Sequence, residues 1–212
     1  MEIETCNRIV DNVFKVLIDG SKQDYIGERI SQLEHSLQAA SQALDAGADD
    51  ETVLAALLHD IGQFTTSPEH KQMLCEASAL IEMDPEAGVS STKQISVGVT
   101  GHEKIGAEYL RQLGFSEKVA LLVESHVPVK RYLTAKYPDY YESLSGASKL
   151  SLKYQGGPFN PDQVLEFEKD PLYPLKIQIR QWDDAAKVVD LQVPDLETYR
   201  PIAVKHLLTQ NK

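Results

Sequence analysis

Apolar residues recur at intervals of three and four along almost the whole chain, and no convincing run alternates apolar with polar. That period suits helices packed on helices and leaves little room for a sheet. Ile9, Val10, Val13, Phe14, Val16 and Leu17 mark a first amphipathic helix. The periodicity breaks from Asp24 to Ile30, around Gly27, and resumes from Leu33 to Leu44, with Gly47 as its stop. Asp49 or Asp50 is placed to cap a helix over Glu51–Ile61, which Gly62 ends. Residues 64–99 are the least regular, with one short helix expected near Met73–Glu82. Thr100-Gly-His-Glu103 fits a capping box for a helix that runs to Gly114. Ser116 caps the next, Glu117 to about Ser125, with Pro128 just beyond. Helices are also expected over Asp139–Lys153, Pro161–Lys169 and Pro171–Val189, the last two opened by Asn160-Pro161 and Asp170-Pro171. The expected fold is all-α, a single domain over residues 1–212.

Composition excludes several partners. Of 212 residues, 21 are basic and 32 acidic, a formal net charge of −11. Neither nucleic acid nor an anionic membrane suits such a balance, because both require clustered Lys and Arg. The longest apolar stretches, near Val53–Leu58 and Val119–Val123, fall far short of the ~20 residues a bilayer needs. Two isolated cysteines, Cys6 and Cys75, offer neither a disulfide framework nor a Cys-x-x-Cys site. The acidic opening Met1-Glu-Ile-Glu-Thr lacks a signal-peptide pattern, so a cytoplasmic protein is expected. No protein partner can be inferred.

Four of the six histidines stand out: His35, His59, His102 and His126. His59 is followed by Asp60 at the end of a very apolar turn formed by Val53, Leu54, Leu57 and Leu58. A carboxylate there is costly unless it is paired or bound to a cation. Imidazole with carboxylate suits iron, manganese or zinc better than calcium. Asp183, in Ile-Arg-Gln-Trp-Asp-Asp-Ala-Ala-Lys, completes the candidate set. His70 and His206 lack such a setting and are expected at the surface.

The order His35, His59-Asp60, Asp183 resembles the signature of the HD-domain superfamily, whose members are all-helical and metal-binding and often phosphohydrolases. His102 and His126 match its dinuclear members. Leu-Leu-His-Asp-Ile-Gly, Gly-His-Glu-x-Ile-Gly-Ala-x-Tyr-Leu, His-Val-x-x-Lys-Arg-Tyr-Leu, Ser-x-Ala-Ser-x-x-Ser-Leu and Arg-x-Trp-Asp-Asp-Ala-Ala-Lys occur in that order. Together they resemble the mixed-valent diiron oxygenases of the PhnZ-like family, over about residues 25–187. Myo-inositol oxygenase is a more distant relative.

The resemblance implies two iron ions as Fe(II)/Fe(III), with O2 as co-substrate. One iron would take His35, His59, Asp60 and Asp183; the other would take Asp60, His102 and His126, with Asp60 bridging. The small-molecule substrate would be a 1-hydroxy-2-(amino or trimethylammonio)ethylphosphonate, cleaved at its C–P bond to phosphate and glycine or glycine betaine. Lys130 and Ser148 would hold the phosphonate, with Arg180 as a third contact and Lys187 undecided. Tyr25 and Glu28 would form a mobile pair at the open iron position, with Gly27 as hinge. Gln63 stands where related enzymes often carry a histidine that contacts the phosphonate, and it offers a hydrogen bond without charge. A trimethylammonium group would need aromatic faces or carboxylates, for which the tyrosine-rich 132–141 stretch is a candidate. An HD-type phosphohydrolase, with a metal-bound hydroxide as nucleophile, and a metal-dependent sensor without turnover are the alternatives.

Overall fold

The computed structural model describes residues 1–20, 29–65, 70–85 and 94–210. Among these residues the chain is predominantly helical. The first three helices are α1 (Ile3–Gly20), α2 (Gln32–Asp45) and α3 (Asp50–Leu58), followed by a 3-10 turn at Ile61–Gln63. Strand β1 (Gln72–Glu76), helix α4 (Ala77–Met83) and strand β2 (Gln94–Val99) come next. The chain then forms α5 (His102–Leu113), α6 (Glu117–Glu124), α7 (His126–Lys136), α8 (Pro138–Ser143) and α9 (Gly146–Tyr154). It ends with α10 (Pro161–Phe167), α11 (Tyr173–Ala185), a 3-10 turn at Leu196–Tyr199 and α12 (Arg200–Thr209).

Local chemistry explains most of the boundaries. Ser31, Asp49, Ser116, Ser145 and Asn160 each accept a hydrogen bond from a backbone N–H in the first turn that follows them. Gly114 closes α5 in the left-handed conformation, with φ of 90°. Other expectations need correcting. The segment 72–76 is a strand, and only Ala77–Met83 is helical. Met73 and Cys75 point inward while Gln72, Leu74 and Glu76 point outward, and the antiparallel pairing sets Leu74 against Ser96 and Cys75 against Ile95. Thr100 does not cap α5: Gly101 holds that position in the left-handed region, with φ of 73° and no side-chain cap. The 139–153 segment is two helices, separated where Leu144 turns extended and Ser145 starts α9. Leu172 rather than Asp170 opens α11, which ends at Ala185. Asp170 instead spends its carboxylate on the Leu172 N–H and on Lys176. His206 is buried rather than at the surface: it stacks on Phe115 and accepts the Ser116 N–H at 3.1 Å. His70 is half-buried.

Helix α3 is buried on every face from Thr52 to Leu58, surrounded by α2, α6, α11 and α12. Its C-terminal end therefore delivers His59 and Asp60 into the interior. A second, smaller cluster of Met73, Cys75, Leu80, Val97 and Leu150 joins the hairpin and α4 to α9. A third, around Tyr132, Phe159, Phe167 and Tyr173, braces α7 from the far side. Among the described residues, no helix is long and apolar enough to cross a membrane.

Candidate metal centre

Six side chains from five segments converge in the interior. His35 comes from α2, His59 and Asp60 from the end of α3, and Asp183 from α11. His102 and His126 are the first residues of α5 and α7. All six are buried. They form two triads, His35/His59/Asp183 and Asp60/His102/His126, each with one ligand atom per residue, all within 4.8 Å of one another.

Each imidazole is oriented by a backbone carbonyl. His59 Nδ1 donates to Ala56 O at 2.8 Å, His102 Nδ1 to Val99 O at 2.9 Å, and His126 Nδ1 to Val123 O at 2.8 Å. In all three the carbonyl lies three residues earlier, so the local turn itself aims the ring. His35 uses a distant carbonyl, Ala186 O at 2.9 Å. Gln38 makes this possible by bonding both the N–H and the carbonyl of Val188, which ties the chain after α11 to α2.

A carbonyl can only accept, so the proton sits on Nδ1 and the Nε2 lone pair faces the centre. Yet His35 Nε2 and His59 Nε2 are 3.0 Å apart, and His102 Nε2 and His126 Nε2 are 2.8 Å apart. Two lone pairs at that distance repel unless a cation lies between them. The spacing matches two imidazoles at right angles on one ion, which at ~2.1 Å each would stand about 3 Å apart. The residues therefore fit two metal ions.

Asp60 connects the triads. Its Oδ1 is 3.4 Å from both His102 Nε2 and His126 Nε2, while Oδ2 is 3.6 Å from His59 Nε2 and 3.8 Å from His35 Nε2. One oxygen thus faces each pair. Asp183 presents Oδ1 to His35 at 3.3 Å, and its Oδ2 is held by Arg180 Nη1 at 2.8 Å.

The charges follow from these contacts. Burial raises the Asp60 carboxyl, but the surrounding imidazoles outweigh it and hold the group well below the usual carboxylate range. Burial acts likewise on Asp183, and there the Arg180 charge is the main opposing effect, again leaving it ionised. Burial pushes His59 down, toward the neutral form that a metal ligand requires. For His126 burial also opposes the charge, but its contact with Asp60 prevails and the group is raised.

A cleft of about 70 Å3 opens onto the centre, with Asp60, His102, His126 and Asp183 among its lining residues. Pro128 does not end a helix but sits in the first turn of a new one, α7, so Lys130 lies one turn beyond His126. Its buried Nζ reaches Ser151 Oγ at 2.8 Å. Burial, reinforced by the Arg180 charge, pushes the Lys130 ammonium down to about 7. Ser148 and Lys187 line the same cleft, 3.4 Å apart. Arg180 also lines it, but its guanidinium is taken up by Asp183, Asp184 and the Tyr140 hydroxyl, which makes it a clamp on Asp183. Gln63 lines the cleft too, with Oε1 accepting the Val99 N–H at 2.8 Å. Tyr25 and Glu28 lie outside the described residues.

The 132–141 stretch does not reach the cleft. Tyr132 is buried against Phe167 and Tyr173, and the Tyr140 hydroxyl ends on Arg180 and Asp184. Sequence reasoning missed Gln32, Val97, Ser151 and Gln155, which all line the cleft. Ser151 was detectable, three residues after Ser148 on one helix. Gln32 and Gln155 each leave a buried side-chain carbonyl oxygen without a partner among the described residues.

The HD-domain family model matches residues 33–145, more than half of the chain. The chain belongs to the HD-domain family. Asp183 lies beyond that match, and only the fold brings it to the other five residues. Two relatives are phosphonate dioxygenases. The chain is 37% identical over 190 residues to the hydroxymethylphosphonate dioxygenase of Gimesia maris, spanning 90% of this chain and 84% of that one. It is 35% identical over 203 residues to the [1-hydroxy-2-(trimethylamino)ethyl]phosphonate dioxygenase (glycine-betaine-forming) of Leisingera caerulea, spanning 95% and 92%. An uncharacterized protein, L432, of Acanthamoeba polyphaga mimivirus is 36% identical over 184 residues, 87% of this chain and 75% of its own. This HD-domain protein is thus related to the PhnZ-like phosphonate dioxygenases.

Proposed function

We propose that this HD-domain protein is a diiron oxygenase that uses O2 to cleave the C–P bond of a 1-hydroxyphosphonate. The observation that carries the reading is Asp60, whose two oxygens each face one histidine pair at the floor of a cleft lined by Lys130, Arg180 and Lys187. The relatives add support, because the substrates in both of their names carry a hydroxyl and a phosphonate on one carbon. The overall change balances as R–CH(OH)–PO3H2 plus O2 giving R–COOH plus H3PO4.

His35, His59, Asp60 and Asp183 would hold one iron, and Asp60, His102 and His126 the other. When bound, the Fe(II)/Fe(III) pair supplies O2 activation and attracts the substrate's oxygen atoms. The protein supplies the remaining contributions. Four backbone carbonyls fix the imidazole planes, and Arg180 fixes Asp183, so the centre pays little reorganisation on binding. Lys130 receives the phosphonate: an anion arriving beside a desolvated ammonium restores the charge that burial opposes. Ser148 and Ser151 extend that donor wall from α9. The hydroxyl carbon would thereby lie between the donor wall and the centre, in a cleft that Val97, Val127 and Ala147 also line. Tyr25 and Glu28 remain candidates for the group that guards the open metal position before substrate arrives.

The second substituent on the substrate is addressed by Gln32 and Gln155. Their carbonyl oxygens, unpartnered among the described residues, would favour an arm with N–H donors, 1-hydroxy-2-aminoethylphosphonate, over a trimethylammonium arm that has none. Incubation of the iron-loaded protein with the amino, trimethylammonio and unsubstituted 1-hydroxyphosphonates, with and without O2, tests both levels. Phosphate is expected only with O2, and fastest from the amino compound. Anaerobic phosphate release from a phosphate ester would instead support the phosphohydrolase. Equal rates for the amino and trimethylammonio compounds would remove the role given to the glutamines.

A further inference from the structure

We infer that Gln63 is a positioning residue for the metal centre, acting through Val99 on His102, rather than a contact to the substrate. Three independent observations converge on it. Gln63 Oε1 accepts the Val99 N–H at 2.8 Å, and the carbonyl of the same Val99 accepts the His102 Nδ1–H at 2.9 Å. One peptide segment therefore joins the Gln63 side chain to a metal-facing imidazole. Next, β2 makes room for this amide. Gly98 has φ of 114°, and a Cβ placed there would lie 3.0 Å from Gln63 Nε2 and 3.1 Å from Oε1. A glycine inside a strand commonly marks such a close approach. Finally, the turn that carries Gln63 is wedged against α5: a Cβ on Gly62 would meet His102 O at 2.0 Å and Gly106 N at 2.6 Å. The turn cannot slide along α5, so the position of Gln63 determines that of Val99.

The bond also settles the orientation of the amide, since an N–H donor demands the oxygen. Gln63 thereby fixes the end of β2, two residues from Val97 in the cleft wall and three from His102. Through this one anchor the hairpin and the metal centre share a register. The role for a glutamine at this position is then clear: its acceptor is committed to the backbone of a strand.

The test separates this role from substrate contact, and it rests on reading His102 as a metal ligand, which His102→Ala checks directly. Apo protein is titrated anaerobically with Fe(II), and ion stoichiometry and affinity are measured for the wild type, His102→Ala, Gln63→Met and Gln63→Glu. Gln63→Met keeps the length of the side chain and removes the acceptor; Gln63→Glu keeps an acceptor for Val99. Gln63→Met is expected to bind one ion normally and the second ~10–100-fold more weakly, the cost of losing an outer hydrogen bond to a metal ligand. Gln63→Glu is expected to regain the second ion's affinity. In turnover, Gln63→Met should lose kcat at limiting iron, recover it with excess iron, and leave KM unchanged. Wild-type affinity for both ions in Gln63→Met, with only KM raised, would overturn the proposal and make Gln63 a substrate contact. Two ions bound normally by His102→Ala would instead overturn the ligand reading beneath it.

Discussion

The metal-facing residues and the cleft wall rest on two bodies of very different weight. His35, His59, Asp60, His102, His126 and Asp183 are set among the helices of the large core, where Leu54, Leu57, Leu58, Ala107 and Val123 are almost wholly buried. Val97, Ala147, Ser148 and Ser151 come instead from β2 and α9, joined by the small cluster of Met73, Cys75, Leu80, Val97 and Leu150. The first body holds charges that tolerate little displacement, and dense packing prevents such displacement. The second holds groups that would meet the variable part of the proposed substrate. A small cluster allows that wall to differ, while the Gln63–Val99 bond keeps the end of β2 in register with His102.

This contrast implies a graded series of effects. The largest is expected for Asp60→Ala, which removes the group facing both histidine pairs. Both ions should be lost or weakened on elemental analysis, and turnover should fall to background, with the fold retained by circular dichroism. Lys130→Met comes next. Loss of a charge-assisted bond of about 1.5–3 kcal/mol should raise KM for a phosphonate by roughly 10–150-fold, without loss of metal.

The same lysine predicts a pH dependence. Its ammonium, pushed down to about 7, is charged below that pH and neutral above it. The wild-type kcat/KM should therefore fall as pH rises through about 7, and Lys130→Arg should move that fall to higher pH, because a guanidinium keeps its charge. A profile identical in both variants would separate Lys130 from phosphonate binding.

Comparison of two leucines tests the division itself. Leu57→Ala and Leu80→Ala each open a cavity and should each cost ~2–5 kcal/mol in denaturant melts. Leu57→Ala should also weaken metal binding, whereas Leu80→Ala should leave it intact and raise KM. Equal loss of metal in both would show that the two bodies act as one. The smallest effect is expected for Val97→Ala, a shift of roughly 10-fold or less in the ratio of kcat/KM between amino and trimethylammonio substrates.

The two bodies also differed in how legible they were from the sequence. The large core follows the helical period closely. Asp49, Ser116 and Gly114 sit at the boundaries their chemistry predicts, and the His59-Asp60 pair stands out because it follows a turn of Val and Leu. Lys130 could be placed beside His126 only once Pro128 proved to lie within the first turn of α7, where a missing N–H costs nothing. The small cluster is less legible. Met73, Leu74 and Cys75 are three hydrophobic residues in a row, which conceals the alternation that pairing with β2 reveals. Thr100 has the spacing of a cap, yet Gly101 in the left-handed region carries the chain into α5 instead. His206 looked like a surface residue because no local pattern records that Phe115 and Ser116 cover it from the start of α6. The Nδ1 partner of His35 was invisible for a similar reason: Ala186 O meets it across 151 residues of chain.

The central claim is that Asp60 makes one dinuclear centre out of two triads. Iron analysis combined with electron paramagnetic resonance after partial oxidation tests it most directly. The account predicts two irons per chain and the signal of a single exchange-coupled Fe(II)/Fe(III) pair, abolished in Asp60→Ala. One iron per chain, or two irons that behave as independent ions, would contradict it.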